Sequence, residues 1–479
     1  MSVSHIVTAK PEALDHLIEA AAAPVELLPL TKPQFEAWLT QATPAEAAWL
    51  AALDFSAQEG RHALLPTVEG RLGRVLLAVE DGSPDLWAFA GLPETLPAGD
   101  YVLAASTPPA LAETLSLGWA VGGYRFSRYK SKEAPAPARL VWPEGVDRPS
   151  VIRSAAAVGF VRDLITTPAE DMGPADLEAT ARSLAHRYGA DLTVTRGEQL
   201  LEQDYPAIHA VGRAAGRGRE PRLIDLTWTG SESGPQVTLV GKGVCFDTGG
   251  LDLKSPANMK LMKKDMGGAA HVLGLAYLIM DAGLPLRLRL LVPAVENAVS
   301  GEAFRPLDVL PTRQGLTVEV GDTDAEGRLI LCDALAEAGR ERPDLLLDMA
   351  TLTGAARVAL GTELPALFCN DDELATAALT VSTQEADPLW RLPLHRPYKR
   401  FLDSKVADLS NIGSTGFGGA ITAALFLERF VPEGAPWIHI DVMAWNTAGR
   451  PGRPEGGEAQ GLRALYALIR ETVRRGGWR

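Results

Sequence analysis

The sequence is poor in cysteine. Only Cys245, Cys332 and Cys369 occur in 479 residues. They are too few and too scattered for a disulfide framework, and they fit a reducing compartment. Positive charge is also short: 46 Lys and Arg stand against 60 Asp and Glu, a formal net charge of −14. That argues against bulk binding to a polyanion and leaves room only for a local basic patch. Long apolar runs are missing too. The longest uncharged apolar run in the core, Met266 to Met280, contains His271 and three glycines. It falls short of the roughly 20 apolar residues that a membrane helix needs. The first thirty residues carry Glu12, Asp15 and Glu19 among the apolar ones, which does not read as a signal peptide. No internal repeat or low-complexity tract is visible. These absences together lead to the expectation of a cytoplasmic chain with no membrane partner.

What is present suffices for sizeable cores. Hydrophobic residues make up 46% and charged residues 22%, a balance that disordered chains do not have. At roughly 150 residues per domain, the length suggests two to three domains.

The first 140 residues alternate short apolar runs with Ala-rich helical stretches. Arg74-Val-Leu-Leu-Ala-Val and Tyr101-Val-Leu-Ala-Ala read as strands, and Ala110 to Gly122 as a helix. Turn clusters such as Asp81-Gly-Ser-Pro84 and Pro97-Ala-Gly-Asp100 lie between them. Nothing here gathers carboxylates, histidines or glycines into a site. Residues 131–150 carry Pro and charge, as linkers do. A helical pattern follows from Val151 to about Ile165 and stops near Thr167-Pro168; another helix starts near Pro174. Beyond Gln236, the runs Val237–Val240, Arg287–Val292, Leu316–Val320, Leu345–Met349 and Trp437–Val442 read as strands. Between them, helical patterns run from just after Asp265 through Ile279 and from Arg328 to Arg340. Such alternation predicts a mostly parallel sheet covered by helices, with ligands beyond the carboxyl ends of its strands.

Three segments fall at those ends. Gly241-Lys-Gly-Val-Cys-Phe-Asp-Thr-Gly-Gly-Leu-Asp-Leu-Lys254 places Lys242, Asp247 and Lys254 among four glycines. It is not a phosphate loop, because the GxxxxGK[ST] order is absent. Met259-Lys-Leu-Met-Lys-Lys-Asp-Met-Gly-Gly-Ala-Ala270 sets Asp265 ahead of an apolar helix, where it could equally be a cap. Gly321-Asp-Thr-Asp-Ala-Glu-Gly-Arg-Leu329 puts Asp322, Asp324 and Glu326 at alternate positions after a strand. An extended chain would point all three the same way. Like charges side by side are costly unless a cation offsets them. The spacing excludes an EF-hand loop, while a solvated acidic turn stays open. Pooled, Asp247, Asp265, Asp324 and Glu326 with one or two lysines form an oxygen-rich cluster at strand ends of one sheet. Such clusters hold paired divalent metals that activate water. Residue chemistry alone reaches a two-metal hydrolase.

At these segments the sequence resembles the leucyl aminopeptidase (cytosol aminopeptidase) family, the M17 metallopeptidases. The resemblance runs from about Val151 to about Ala448. It rests on the VGKGxxFDxGG-like stretch at 240–250, KKDMGGAA at 263–270 and TDAEGRL at 323–329, in order and in register. It implies an α/β fold: a smaller N-terminal α/β domain (1–140) for assembly or access, a linker and connecting helix (141–175), and a larger catalytic domain (176–479) with a mostly parallel central sheet covered by helices.

Position by position, the resemblance implies that Asp247 and Glu326 bridge two metals. Asp324 would complete the more exchangeable site, and Lys242 and Asp265 the tighter one. Lys242 would then need a strongly lowered pKa, which a dication supplies. A metal-bridging water would attack the scissile carbonyl, and the substrate's α-amino group would bind one metal. Lys254 would stabilise the gem-diolate oxygen, and Arg328 would hold a bicarbonate that acts as general base. The implied metals are Zn²⁺, with Mn²⁺, Mg²⁺ or Co²⁺ possible in the exchangeable site. Met262, Thr351 and Gly354 match positions lining the pocket for the N-terminal side chain, which favours Leu- or Met-like residues. A homohexamer, a dimer of trimers enclosing the active sites, is implied as well, restricting substrates to short peptides.

Two residues depart from the family pattern. Asp322 stands where the family usually has Asn. Met443 follows His439-Ile-Asp-Val442 where a small residue usually forms the pocket wall. His439 itself reads as structural. Two other readings compete. One is a DNA-binding regulator on the same fold, since some bacterial relatives double as DNA-binding proteins. It would use Arg213, Arg217, Arg219 and Arg222 with the tail arginines Arg470, Arg474, Arg475 and Arg479, although nucleic acid is not the expected partner. The other is a two-metal hydrolase that is not a peptidase.

Overall fold

A long helix, Arg148–Thr166, carries the chain from one structural unit into another. The boundary between the units falls inside it, at Gly159 and Phe160. The computed structural model describes residues 15–81, 85–132 and 136–478.

The N-terminal unit is built on a six-stranded sheet. Its order is Leu17–Ile18, Ala138–Val141, Gly99–Leu103, Val25–Leu30, Leu72–Ala78, His62–Pro66, and only the last pairing is antiparallel. Leu27, Val75 and Leu140 are fully buried on it. The helix Pro109–Gly122 packs its buried Trp119 ring beside Tyr101. The strands expected near Arg74 and Tyr101 and the helix at Ala110–Gly122 are therefore present. The turn cluster at Asp81–Pro84 falls largely outside the described residues, as do residues 133–135 of the expected linker. The rest of the 131–150 stretch departs from its linker-like composition, because Ala138–Val141 pairs with two strands. Residues Ala448–Glu455, far down the chain, also belong to this unit. There the Arg453 guanidinium stacks 3.7 Å over the Trp87 ring.

The second unit carries a nine-stranded sheet. Its order is Trp390–Arg391, Ala366–Cys369, Trp437–Asp441, Leu345–Ala350, Gln236–Gly241, Arg287–Asn297, Arg222–Thr229, Asp191–Arg196, with Gly243–Asp247 pairing to Arg287–Asn297 as well. The four central pairings that use Gln236–Gly241, Leu345–Ala350, Trp437–Asp441 and Gly243–Asp247 are parallel, and antiparallel strands close the edges. The mostly parallel α/β sheet expected from the sequence is what forms. Its centre is buried on both faces, so Leu345-Leu-Leu-Asp-Met-Ala350 is inaccessible throughout and reads as a continuous apolar run rather than an alternation. Asp348 is its one charge, and the sheet satisfies it. Across the parallel register its oxygens take the Trp437 Nε1–H (2.7 Å) and His439 Nδ1 (2.5 Å). His439 thus has the structural role expected of it. No helix among the described residues is long and apolar enough to cross a membrane.

The helix Gly267–Asp281 is buried on every side through Met280. It is apolar all round because it is enclosed all round. Its fully buried histidine, His271, is satisfied by the Gly267 carbonyl (2.6 Å) and the Gln460 amide (2.9 Å). The helix starts hard against the strand Leu345–Ala350. A Cβ on Gly268 would lie 2.0 Å from the Met349 carbonyl oxygen, and both partners are backbone. This contact fixes where the residues just before the helix, Asp265 among them, must lie.

Alanine normally improves a helix by up to ~1 kcal/mol over glycine. At Gly268 the backbone clash outweighs that gain. Gly268→Ala is expected to destabilise the protein by about 1–3 kcal/mol, the usual cost of overpacking, as read from urea denaturation. Unchanged or raised stability would show that the helix can back away from the strand.

Candidate active site

The side chains that matter sit where parallel strands end, which is where such sheets open a crevice. Lys242 follows Gln236–Gly241, Asp247 ends Gly243–Asp247, Thr351 follows Leu345–Ala350, and Asp441 ends Trp437–Asp441. Asp265 comes from the short 3₁₀ turn Met262–Met266 that leads into the buried helix. Asp324 and Glu326 come from the turn ahead of the helix Gly327–Gly339.

With Lys254, which follows the strand Gly243–Asp247 by seven residues, these elements bring together the charged groups of Lys242, Asp247, Lys254, Asp265, Asp324 and Glu326. The Lys242 ammonium lies 2.7 Å from Asp265 Oδ2 and 2.9 Å from Glu326 Oε1, and it donates to the Thr351 carbonyl (3.0 Å). Its stem passes so close over Gly327 that a Cβ there would come within 2.5 Å of Lys242 Cε. The Lys254 ammonium is 2.8 Å from Asp247 Oδ2 and also pairs with Asp324. Surrounding groups hold the carboxylates in orientation. Asp247 Oδ1 accepts from Asn297 Nδ2 (2.8 Å) and the Gly249 amide (2.8 Å), and Asp265 Oδ1 accepts from Thr351 Oγ1 (2.7 Å).

Four carboxylates face two ammonium groups in a largely buried space. The imbalance shows in their ionisation. Burial and the neighbouring Asp247 carboxylate push Asp324 up to about 6. Burial, with Asp247 again, raises Glu326 well above the usual carboxylate range. Burial alone would lower Lys242, but Asp265, Glu326 and Asp247 outweigh it and the net shift is upward. Lys254 is raised in the same way against its own burial, chiefly by Asp247. The lowered Lys242 pKa expected from the sequence depends on a dication. Without one, the lysines themselves are the counter-cations.

The donor set fits a divalent metal. Asp247, Asp265 and Glu326 each offer an oxygen within 4.8 Å of the others. Asp265 Oδ2, Glu326 Oε1 and Asp324 Oδ1 are buried and meet only the two lysine ammonium groups, and Glu326 Oε2 has no hydrogen bond among the described residues. Orphaned acceptors of this kind are rare in folded proteins, and hard cations satisfy them.

A cavity of about 260 Å³ opens beside this cluster. Lys242, Asp247, Lys254, Asp265 and Asp324 line it, as do Met262, Thr351, Gly354 and Met443. Of the residues singled out in the sequence, Asp322, Glu326 and Arg328 are not on its wall. Glu326 and Arg328 are buried, with Arg328 Nη1 donating to the Asn411 carbonyl (2.6 Å) and its Nε–H unpaired among the described residues.

Three readings of the sequence need correction. The acidic segment follows a strand, but Thr317–Glu319 belongs to a separate three-stranded sheet with Val309–Pro311 and Leu409–Ser410. The acidic residues therefore do not all sit at the strand ends of one sheet. The segment is also a turn rather than extended chain. Asp322 Oδ1 accepts from the Asp324 amide (2.8 Å), so Asp322 shapes the turn and does not join the cluster. Asp265 does not cap its helix, since its side chain is held by Thr351 and Lys242.

Sequence reasoning missed the supporting residues. Asn297 lies at the end of a strand whose pattern gave no sign of a polar role. Asn411 ties the acidic turn together through Gly321 N (2.7 Å) and the Asp322 carbonyl (2.7 Å). For Thr351 the sequence suggests only pocket lining. These roles depend on contacts between distant segments, and no local motif announces them.

The arginines that might have formed a nucleic-acid patch are largely engaged within the protein. Arg219 pairs with Glu296 (2.6 Å), Arg222 with Glu178 (2.8 Å) and Arg470 with Glu385 (3.8 Å). Arg213 donates to the Glu302 carbonyl.

Comparison with known proteins agrees with this geometry. The model of the cytosol aminopeptidase family catalytic domain matches residues 159–466, and that of the M17 aminopeptidase N-terminal domain matches residues 23–143. A probable cytosol aminopeptidase of Roseiflexus castenholzii is 39% identical over 77% of this chain and 78% of its own. One from Nocardia farcinica is 38% identical over 83% and 82%. Among solved structures, the cytosol aminopeptidase of Coxiella burnetii superposes with a TM-score of 0.90 at 46% identity, covering 96% of this chain and all (100%) of its own. The bottromycin maturation enzyme BotP in complex with Mn superposes with a TM-score of 0.84 at 34% identity, covering 94% and 100%. With both family models accounting for nearly the whole chain and the acidic cluster lying inside the matched catalytic region, the protein belongs to the M17 cytosol aminopeptidase family and is a metallo-aminopeptidase.

Proposed function

We propose that this aminopeptidase removes N-terminal residues from short peptides using two divalent metal ions held by Lys242, Asp247, Asp265, Asp324 and Glu326. The observation that carries this reading is the cluster of Asp247, Asp265 and Glu326, whose oxygens lie within 4.8 Å of one another beside a cavity that Lys254 and Asp324 also line. Zn²⁺ is the expected metal, with Mn²⁺, Mg²⁺ or Co²⁺ able to occupy the exchangeable site. Bound there, the metals supply an activated water and polarise the scissile carbonyl.

The remaining chemistry belongs to the chain. The acidic wall receives the substrate's free α-amino group and so restricts cleavage to the N-terminus. The Lys254 ammonium offsets the negative charge that develops on the carbonyl oxygen in the transition state. Arg328 keeps its charge at neutral pH, since burial brings it down only to about 10. Its unpaired Nε–H supports the role of holding a bicarbonate that accepts the water's proton. Met262, Thr351, Gly354 and Met443 receive the N-terminal side chain, and the apolar members suit Leu- or Met-like residues. Three buried thiols, all free, fit a cytoplasmic location. Residues 1–140 serve assembly or access, 141–175 connect, and 176–479 carry catalysis. Assembly is into a homohexamer, a dimer of trimers. A monomer peak in size-exclusion chromatography with light scattering would remove that assignment.

Metal ligation requires deprotonated groups. Asp324, raised to about 6, is protonated below that pH and ionised above it. Apparent metal affinity should therefore fall as pH drops through about 6. Metal titrations of chelator-stripped protein at pH 5 and pH 7, at about those values by design, would show it. Asp265→Asn and Glu326→Gln should lower the bound metal and abolish the rise in melting temperature that Mn²⁺ or Zn²⁺ gives the wild type.

Chelator-treated protein is expected to cleave Leu-p-nitroanilide and dipeptides only after Mn²⁺ or Zn²⁺ is restored, and only from a free N-terminus. Lys254→Ala should then cut kcat by roughly 10²–10³, the scale of losing one transition-state donor. Near wild-type turnover would take Lys254 out of the mechanism. Turnover of phosphate esters instead of peptides would favour a non-peptidase hydrolase.

A further inference from the structure

One cation in the cavity has no part in the chemistry above. Lys264 lies in the turn Met262–Met266, next to Asp265. It is only 6% exposed, and it lines the cavity. Lysines this deeply buried are almost always paired. The Lys264 ammonium makes no hydrogen bond or ion pair among the described residues.

The neighbouring acids are committed elsewhere. Asp265 is taken by Lys242 and Thr351. Asp441, also on the cavity wall, accepts from the Leu352 amide (2.9 Å), the Thr353 amide (3.3 Å) and Thr353 Oγ1 (2.6 Å). The adjacent Lys263 is different, because it donates to the Thr166 carbonyl (2.5 Å). A second cation reinforces the asymmetry. Arg357 lines the same cavity, has no acceptor among the described residues, and reaches within 3.7 Å of where a Gly354 Cβ would be. Lys264 is therefore a buried cation on the cavity wall with no acceptor of its own, since the nearest acids, Asp265 and Asp441, are bonded to other groups, and Arg357 is a second, exposed cation on the same wall. The cost of burying such a charge is offset when a ligand brings the opposite one.

We propose that Lys264 makes this a pocket for an acidic N-terminal side chain, so that glutamyl or aspartyl N-termini are preferred over their neutral isosteres. The proposal rests on the aminopeptidase reading and names the substrate class that its side-chain pocket takes best. The methylenes of glutamate suit the walls formed by Met262 and Met443, and its carboxylate is the acceptor that Lys264 lacks. Apolar residues of similar length still enter, but they leave the ammonium unpaired.

The test compares Glu-, Gln- and Leu-p-nitroanilide with the metal-loaded wild type. These amides have no C-terminal carboxylate, so any acid recognised must be the side chain. kcat/KM for Glu should exceed that for Gln roughly ten- to hundredfold, the range for a hydrogen bond to a charged group. Lys264→Met keeps length and removes charge, and should bring the ratio to about one or below. Equal or faster turnover of Gln by the wild type overturns the proposal without need of any variant. A Glu preference that survives in Lys264→Met overturns it as well. If Lys264→Met instead removes a preference for free dipeptides over dipeptide amides, with no Glu–Gln difference, Lys264 reads the peptide's own carboxylate and the proposal fails. Turnover of Leu without a Glu preference sinks this proposal alone, whereas no turnover of any of the three sinks the aminopeptidase reading and this proposal with it.

Discussion

Excess negative charge buried at the ends of parallel strands is the constraint on which the rest of this structure depends. Removing a carboxylate from water costs several kcal/mol even after relaxation, and here four are gathered around two lysines. Two ammonium groups cannot satisfy them, as the upward shifts of Asp324 and Glu326 show. The scaffold has to hold these groups together against their own repulsion. It does so with rigid elements. Parallel strands buried on both faces end at Lys242, Asp247 and Thr351, and a fully enclosed helix presses the turn bearing Asp265 against them.

The polar residues around the cluster fix how the carboxylates point. Thr351 and Asn297 each occupy one oxygen of a site carboxylate. Asn411 pins the acidic turn from the far side while its own carbonyl holds Arg328. Each leaves the other carboxylate oxygens facing inward. Partners of this kind set ligand orientation in metal sites, so substrate turnover depends on residues that never touch the substrate.

Much of this was legible in the sequence, for identifiable reasons. The strands ending at Gly241 and Ala350 are apolar runs bounded by glycine or polar residues, and their parallel pairing follows from the helices between them. Lys242, Asp247, Lys254, Asp265, Asp324 and Glu326 lie in short segments whose residue types make little sense as ordinary turns when taken together. What stayed hidden was non-local. The alternate spacing of Asp322, Asp324 and Glu326 suggested extended chain, but an aspartate that can accept from the amide two residues on favours a turn, and Asp322 does so. The separate sheet containing Thr317–Glu319 could not be told from the main one by pattern, because a short run with one buried residue does not show which strands it pairs with. The isolation of Lys264 is likewise invisible in a run of two lysines. Only the fold shows that Lys263 finds a carbonyl and Lys264 finds nothing.

The excursion of Ala448–Glu455 into the N-terminal unit also bears on how the protein is made. That unit is the first to leave the ribosome, yet one of its segments is translated only after almost the whole of the second unit. At roughly 5–20 residues per second, the wait lasts tens of seconds. Throughout that interval Trp87 lacks the guanidinium that later covers it, and the backbone beside Ala90 lacks the close packing of Gly452. The nascent chain thus carries an unfinished apolar surface through most of its synthesis. Completion of the amino-terminal unit becomes a late event in biogenesis, coupled to the emergence of the carboxy-terminal end.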